Sequence, residues 1–438
     1  MKSQILICAT TPGAGKTTLA LGLSRLLEES GRSVELFKSG PDLQDKQLHS
    51  LLAGAETPNV DPWIYPDNDI RRIYNDSGEG ADVCLVDGWA ALFDGYDRSM
   101  GSDSSLSQIL RLPVVLVAGA ENRTYSVAAE IAGFHKFNPR LRVAGVVFNR
   151  CVSKGQFLFL RRACRDAGVE CLGYIPFDEA LSMNTRHSCF TSRNIEEIRA
   201  VVGRAAEHIA HYVDVEAMLS RTQGEFPVPY SLPLRMESDA DTVFSRRNLR
   251  VAVADDPAFA FSYSGNVDKL AWLGTIHRFS PVYSDTLPEA DIIYLKGGFP
   301  ELFGRQIHRR HRLLEALRGF ALGGGRIIAE GGGMSLLCRS LSCHPGGKSY
   351  DMAGFFDFDV YTGRKITSGY RRAFFGGYDM RGYEFRYTRY EGDDSSAECY
   401  DIYDALGAPS GTHIFRKKNV IASPCTFYWG DSDIVDLF

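Results

Sequence analysis

The stretch Pro12-Gly13-Ala14-Gly15-Lys16-Thr17-Thr18 constrains this chain more than any other. It follows the apolar run Gln4-Ile5-Leu6-Ile7-Cys8-Ala9 and precedes Leu19, Leu21, Leu23 and Leu26-Leu27. A buried strand, a loop of small residues and a helix in that order predict a phosphate-binding turn. Small residues let backbone N–H groups point inward at phosphate oxygens, and the start of the following helix adds partial positive charge. Lys16 then reaches the β and γ phosphates of ATP, and the Thr17 hydroxyl ligates Mg²⁺. The usual pattern has glycine five residues before Gly15; Thr10 stands there, so the loop is a variant. Gly13, Ala14, Gly15, Lys16, Thr17 and Thr18 are its expected nucleotide-binding residues.

Further short apolar runs at Val34-Glu35-Leu36-Phe37, Val83-Cys84-Leu85-Val86, Val114-Val115-Leu116-Val117 and Val143-Ala144-Gly145-Val146-Val147-Phe148 alternate with helical stretches. That alternation predicts parallel strands with crossover helices. Between Thr222 and Arg247 it breaks at Gly224, Pro227, Pro229 and Pro233, followed by the polar Glu237-Ser238-Asp239. A second α/β alternation opens with Leu249-Arg250-Val251-Ala252-Val253-Ala254 and continues through Ile292-Ile293-Tyr294-Leu295 and Arg326-Ile327-Ile328-Ala329. With 438 residues the chain is too long for one ordinary domain. The expected division is 1–221, a linker at 222–247, and 248–438.

Hydrophobic residues at 44% and charged residues at 24% are the balance of a globular chain, and the net charge of −5 gives no reason to expect nucleic acid. No apolar run is long enough to span a bilayer, and Met1-Lys2-Ser3-Gln4 leads into the first run without a cleavage site, so no membrane partner and a cytoplasmic location are expected. The ten cysteines lack metal-ligand spacing and read as small core residues.

Holding the metal of ATP requires carboxylates. Asp42 and Asp45 follow Lys38-Ser39-Gly40-Pro41, Asp87 follows Val86, and Asp94 lies in Leu92-Phe93-Asp94-Gly95. Strand ends are where ligands bind in open α/β sheets, though any one of these acids could instead cap a helix or fix a turn.

The order of these motifs resembles the cobyrinic acid a,c-diamide synthase family over nearly the whole chain. The likeness runs through Phe37-Lys38-Ser39-Gly40-Pro41-Asp42 with Asp45 and His49, Asn59-Val60-Asp61-Pro62-Trp63, Asp87-Gly88, Gly145-Val146-Val147-Phe148-Asn149-Arg150 and Arg186-His187. In the second half it includes Gly297-Gly298-Phe299-Pro300-Glu301, Ala329-Glu330, Gly369-Tyr370-Arg371 and Arg381-Gly382-Tyr383-Glu384-Phe385. The resemblance implies a P-loop NTPase-type amide synthase domain with a parallel sheet, followed by a class I glutamine amidotransferase-like α/β domain. Family members use ATP and Mg²⁺ to activate acetate carboxylates of a tetrapyrrole, and ammonia from glutamine gives the amides. Carried over, this assigns Lys16 and Thr17 to phosphate and metal, Asp42 and Asp87 to metal, Asp45 and Asp94 to catalysis at the acceptor carboxylate, and Asn149 to the nucleotide base. It also implies pairing into a homodimer.

The chain departs from that family in places. Leu43 and Gln44 replace the usual Tyr and Ile, Lys46 replaces Pro, Asp87 replaces Glu, and a Gly-Ser-Thr-Ala stretch reads Gly101-Ser102-Asp103-Ser104. The nucleophilic cysteine after Ala-Glu is Gly331, and the partner histidine position near the C-terminus is Thr426. Glycine cannot form a thioester and threonine cannot replace imidazole as a general base. Cys338 and Cys343-His344 read as structural, and aligning His413, the late histidine, to the lost base would need a shift of thirteen residues. The expectation is an amide ligase using free ammonia or ammonia from a separate glutaminase. The alternative is a nucleotide-binding pseudoenzyme that binds a tetrapyrrole or regulates a partner.

Overall fold

In the computed structural model, residues 1–182, 190, 192–231, 248–430 and 432–437 are described. Cys189, Arg186-His187 and the stretch 232–247, with Pro233 and Glu237-Ser238-Asp239, lie outside them. The chain divides into two compact units, the first ending at Ser231.

The first unit alternates β1 (Lys2–Ala9), α1 (Lys16–Glu29), β2 (Val34–Ser39), α2 (Leu43–Ala53), β3 (Asn59–Val60), α3 (Asp67–Gly78), β4 (Val83–Asp87), α4 (Asp103–Leu110), β5 (Val114–Gly119), α5 (Val127–Phe137), β6 (Val143–Cys151), α6 (Lys154–Ala167), β7 (Cys171–Pro176), α7 (Ser192–Tyr212), α8 (Val215–Arg221) and β8 (Gln223–Gly224). The strands lie in the order β3-β2-β4-β1-β5-β6-β7, with neighbours parallel. A strand covered on both faces can be apolar throughout, and Ile5 to Ala9 are fully buried. Helix α1 packs closely on α7, where a Cβ at Gly22 would lie 2.7 Å from Ile209 Cδ1. Strands β2 to β4 flank β1 on one side and β5 to β7 on the other. The chain order reverses at β1, and ligands bind in the crevice at the carboxyl ends of such strands.

The expected linker begins inside this unit. Gln223 and Gly224 pair antiparallel with Ser3 and Lys2. Asn75 holds Val228 through both ends of its amide, donating to the carbonyl at 2.8 Å and accepting from the N–H at 2.8 Å. Proline content marks where regular structure stops; it does not mark where backbone hydrogen bonding to the preceding unit stops.

The second unit comprises β9 (Leu249–Ala254), α9 (Asn266–Leu273), β10 (Gly274–Phe279), β11 (Ile292–Leu295), α10 (Gly304–His308), α11 (His311–Leu322), β12 (Arg326–Glu330), α12 (Gly332–Leu337), β13 (Ser340–Ser342), β14 (Ser349–Asp351), β15 (Asp359–Phe375), β16 (Tyr378–Glu391), β17 (Glu398–Asp404), β18 (Pro409–Lys417), β19 (Val420–Ser423) and β20 (Thr426–Tyr428). Its sheet runs β10-β9-β11-β12-β19-β18-β17-β15-β13-β14, with β16 joining β15 to β20. Alternate residues of β9 and β11 enter opposite cores: Ala252, Ala254, Ile293 and Leu295 one, Val251, Val253, Ile292 and Tyr294 the other. From β15 onward antiparallel pairing dominates, which apolar-run counting did not reveal. Among the described residues no helix is long and apolar enough to cross a membrane.

Candidate functional site

The phosphate loop is shaped by two glycines with left-handed backbone, Gly13 at φ 77° and Gly15 at φ 102°. Gly15 is doubly required, because a Cβ there would overlap the Asn149 amide. Asn149 Nδ2 donates to the Ala14 carbonyl at 2.9 Å, and its Oδ1 accepts the Arg150 N–H at 2.9 Å. Expected at the nucleotide base, Asn149 here braces the loop from the end of β6. Helix α1 begins at Gly15 without a side-chain cap and without an acid in its first turn. No side chain caps its first N–H groups, which leaves them as donors for an anion. Lys16 is buried, and its Nζ donates to the carbonyl of Ala90.

Asp87 ends β4 fully buried. Its Oδ2 accepts from Thr17 Oγ1 at 3.0 Å and Lys38 Nζ at 3.0 Å, with His49 Nε2 at 3.3 Å. Its other oxygen, Oδ1, is buried with no hydrogen-bond partner among the described residues. Burial pushes the Asp87 carboxyl up, but Lys38, His49 and Lys16 outweigh it and hold it below the usual carboxylate range. Burial likewise lowers Lys38, yet Asp87, Asp45 and Asp42 raise it well above an ordinary lysine. Lys38 is thus a fixed cation, with Asp45 Oδ2 at 3.3 Å.

Asp42 caps α2, its Oδ1 accepting from Gln44 N at 3.1 Å and Asp45 N at 3.0 Å. The cap role that the sequence left open is therefore real, and it uses one oxygen only. Burial, reinforced by Asp45, raises the Asp42 carboxyl above the usual range. Asp94 stands apart from the other acids. It is exposed on the loop between β4 and α4, where its N–H closes a turn on the Ala91 carbonyl at 3.0 Å. That turn carries its carboxyl outward.

Three residues near these acids were given no role from the sequence: Lys38, His49 and Asp103. Lys38 had a visible signal, a lysine inside an apolar strand. Asp103 had one too, as an acid where the resembled family has threonine. Its Oδ1 accepts from Ser39 Oγ at 2.6 Å and Trp89 N at 3.2 Å. Thr17 and Asp87 fit a Mg²⁺ ion because a hydroxyl already touches a carboxylate whose second oxygen is unclaimed, whereas Asp42 is engaged as the cap of α2. Among the described residues no three His, Cys, Asp or Glu gather as a metal site. Magnesium suits such a sparse set, since it is usually completed by phosphate oxygens and water.

In the second unit the turn between β12 and α12 places Gly331 at φ 53°, ψ −125°. A Cβ built there would lie 3.3 Å from Thr426 Oγ1 and 3.2 Å from Gly297 Cα. The structure therefore brings positions 331 and 426 face to face. Tyr390 donates to the Gly331 carbonyl at 3.2 Å. Glu330 is buried and accepts from Tyr294 Oη at 2.8 Å, Phe427 N at 3.1 Å and Trp429 Nε1 at 3.0 Å. Burial outweighs those donors and raises its carboxyl to about 7. Cys338 is buried in the apolar core, and burial pushes its thiol far up. Cys343 packs against Gly304, and His413 lies on β18 beside Asp401 at 3.2 Å.

Residues 5–188 match the CobQ/CobB/MinD/ParA nucleotide binding domain, and residues 250–425 match the CobB/CobQ-like glutamine amidotransferase domain. The chain is 33% identical over 404 residues to a cobyrinate a,c-diamide synthase of Listeria innocua, covering 89% of this chain and 88% of the relative. It is 31% identical over 438 residues to the cobyrinate a,c-diamide synthase of Salmonella typhimurium, covering 95% and 93%. With the hydrogenobyrinate a,c-diamide synthase of Rhizobium meliloti it shares 31% identity over 431 residues, covering 96% and 97%. A nucleotide-binding domain and an amidotransferase-like domain in this order, with such identity along nearly the full length of both chains, place the chain in the cobyrinate a,c-diamide synthase family.

Proposed function

We propose that the chain is an ATP-dependent amide ligase acting on acetate carboxylates of a tetrapyrrole such as cobyrinic acid, with ammonia that its own second domain does not release. The observation that carries the reading is the division of Asp87. Thr17, Lys38 and His49 crowd one of its oxygens and leave the other unclaimed, beside the uncapped start of α1.

A carboxylate is a poor acyl donor because its oxygen would leave as oxide. Transfer of the terminal phosphoryl group of ATP to that oxygen gives an acyl phosphate and ADP, and ammonia then displaces phosphate to form the amide. The N–H groups at the start of α1 and the ammonium of Lys16 bind the phosphates and neutralise the charge in transit. Thr17 and Asp87, with Asp42, would hold Mg²⁺, which would supply further charge neutralisation when bound. Lys38 keeps Asp87 ionised and ties it to Asp45 in the first turn of α2. Asp45 is the acid placed to orient the acceptor; Asp94 would need its loop to swing inward.

Residues 1–221 would form the amide synthase domain and 248–438 a glutaminase fold without glutaminase activity. Gly331 offers no sulfur and Thr426 no imidazole, so glutamine has no nucleophile there. Ammonia then comes from solution or from a separate glutaminase. Purified protein with ATP, Mg²⁺ and cobyrinic acid should form amide from an ammonium salt and none from glutamine alone. Glutamate release from glutamine overturns the assignment of Gly331. ADP release with no amide favours the nucleotide-binding pseudoenzyme instead.

A further inference from the structure

The reaction above leaves Asp103 without a task, although Asp103 is 3% exposed and lies within the same crevice. It opens α4, and its Oδ1 bridges Ser39 Oγ at the end of β2 to the N–H of Trp89 on the loop after β4. Its Oδ2 is buried with no hydrogen-bond partner among the described residues. A Cβ at Gly88 would collide with both that oxygen and the Ile7 carbonyl, and the Asp103 carboxylate lies close enough to the Cys8 thiol, which burial already raises, to push it further above its ordinary value.

The residue after Trp89 is under strain. Ala90 has φ 37°, a left-handed conformation disfavoured for any residue with a Cβ, and its carbonyl receives Lys16 Nζ. Such a conformation persists only when its surroundings over-determine it. Here the restraints are the Asp103 bond to Trp89 on one side and the Leu92 N–H to the Ala9 carbonyl, at 3.0 Å, on the other. A threonine, as in the resembled family, would carry its oxygen one bond closer to the backbone and could not span from α4 to both Ser39 and Trp89.

We propose that Asp103 is a positioning residue for Lys16, acting through the segment Gly88-Trp89-Ala90, which it clamps to the end of β2. The inference rests on the reading of this site as one that uses ATP. The clamp fixes the Ala90 carbonyl, and that carbonyl sets where the Lys16 ammonium waits before it meets phosphate. Most of the nucleotide's hold comes from the loop N–H groups and the Asn149 brace, which Asp103 does not reach, whereas the position of the Lys16 ammonium matters most to the phosphoryl group in transit. Loss of the clamp therefore falls on turnover. Burial pushes this carboxyl up to about 6, while the Ser39 bond and the Lys16 charge pull it down. An asparagine in its place keeps the Oδ1 acceptor for Ser39 and Trp89.

The test compares wild type with Asp103→Ala, Asp103→Thr, Asp103→Asn and Lys16→Ala. It measures ADP release with Mg²⁺, cobyrinic acid and an ammonium salt, alongside titration with a fluorescent ADP analogue. Asp103→Ala and Asp103→Thr should lower kcat about tenfold to a hundredfold, with analogue affinity within about threefold of wild type. Asp103→Asn should recover most of the turnover. Wild-type kcat in Asp103→Ala overturns the proposal, as does Asp103→Asn as slow as Asp103→Ala. Turnover falling only in proportion to the fraction of protein that binds the analogue also overturns it, because that marks a merely structural role. Lys16→Ala separates the two claims. If it turns over normally, the ATP reading itself fails; if it is inactive while Asp103→Ala is normal, only the clamp falls.

Discussion

Asp87 is buried with Lys38, whose other acceptors are Asp45 and the Gly88 carbonyl. Removing one member of a buried ion pair costs more than the pair contributes, because the survivor keeps its desolvation penalty. Asp87→Asn should lower unfolding free energy by about 3 kcal/mol, read from urea denaturation, and Lys38→Met in the same chain should restore much of it. ADP release should be absent from both. Restoration of stability without activity would separate the structural half of that carboxylate from its chemical half. Glu330 gives a pH signature in the other unit. Its folded value of about 7 lies above the ordinary 4.5, so the protonated form is the one the fold prefers. The stability it contributes is complete below about pH 4.5 and is lost as pH rises through about 7. The melting temperature of the wild type should accordingly fall by a few degrees between pH 5 and pH 8, and Glu330→Gln should flatten that slope. A steeper slope in Glu330→Gln would contradict this assignment. The acids themselves were legible in the sequence at strand ends. What Asp42 and Asp94 do was not, since capping and turning are decided by a few backbone hydrogen bonds that residue type alone does not fix.

At the level of elements, the phosphate loop is held from outside as much as from within. Asn149 reaches it from β6, more than a hundred residues away in sequence, and fills the space a side chain at Gly15 would need. Asn149→Ala should remove about 1 kcal/mol of bracing, so nucleotide affinity should weaken roughly fivefold by analogue titration. Unchanged affinity would show that the loop keeps its shape unaided. The sequence revealed the strand, loop and helix because an apolar run followed by glycines leaves few other solutions. It concealed the brace, because an asparagine at a strand end has several uses. The long hairpin of β15 and β16 was legible in principle: Gly376 and Gly377, at φ 59° and 83°, are the glycine pair that a two-residue turn requires. Strand β16 alternates apolar and polar residues and β15 carries no long apolar run, so neither stands out as a continuous apolar stretch.

Taken as a whole, the molecule is two units, each with its own sheet and buried apolar residues. Substitutions at the turn after β12 should therefore leave nucleotide binding in the first unit unchanged. Gly331→Cys should destabilise the protein by about 1–3 kcal/mol, the range for a side chain held in a sparsely populated backbone region, and should release no glutamate from glutamine. Adding Thr426→His supplies the missing base, and glutamate release by that double variant, measured by coupled assay, would show that the turn remains competent. Its failure would mean that the glutamine pocket around the turn has changed as well. The turn itself is imposed by the short passage from β12 into α12, whether or not a thiol uses it. On the proposed reading, in which this unit hydrolyses no glutamine, glycine at this corner is a relief of strain rather than damage. Selection for a well-folded protein alone would then keep the nucleophile from returning.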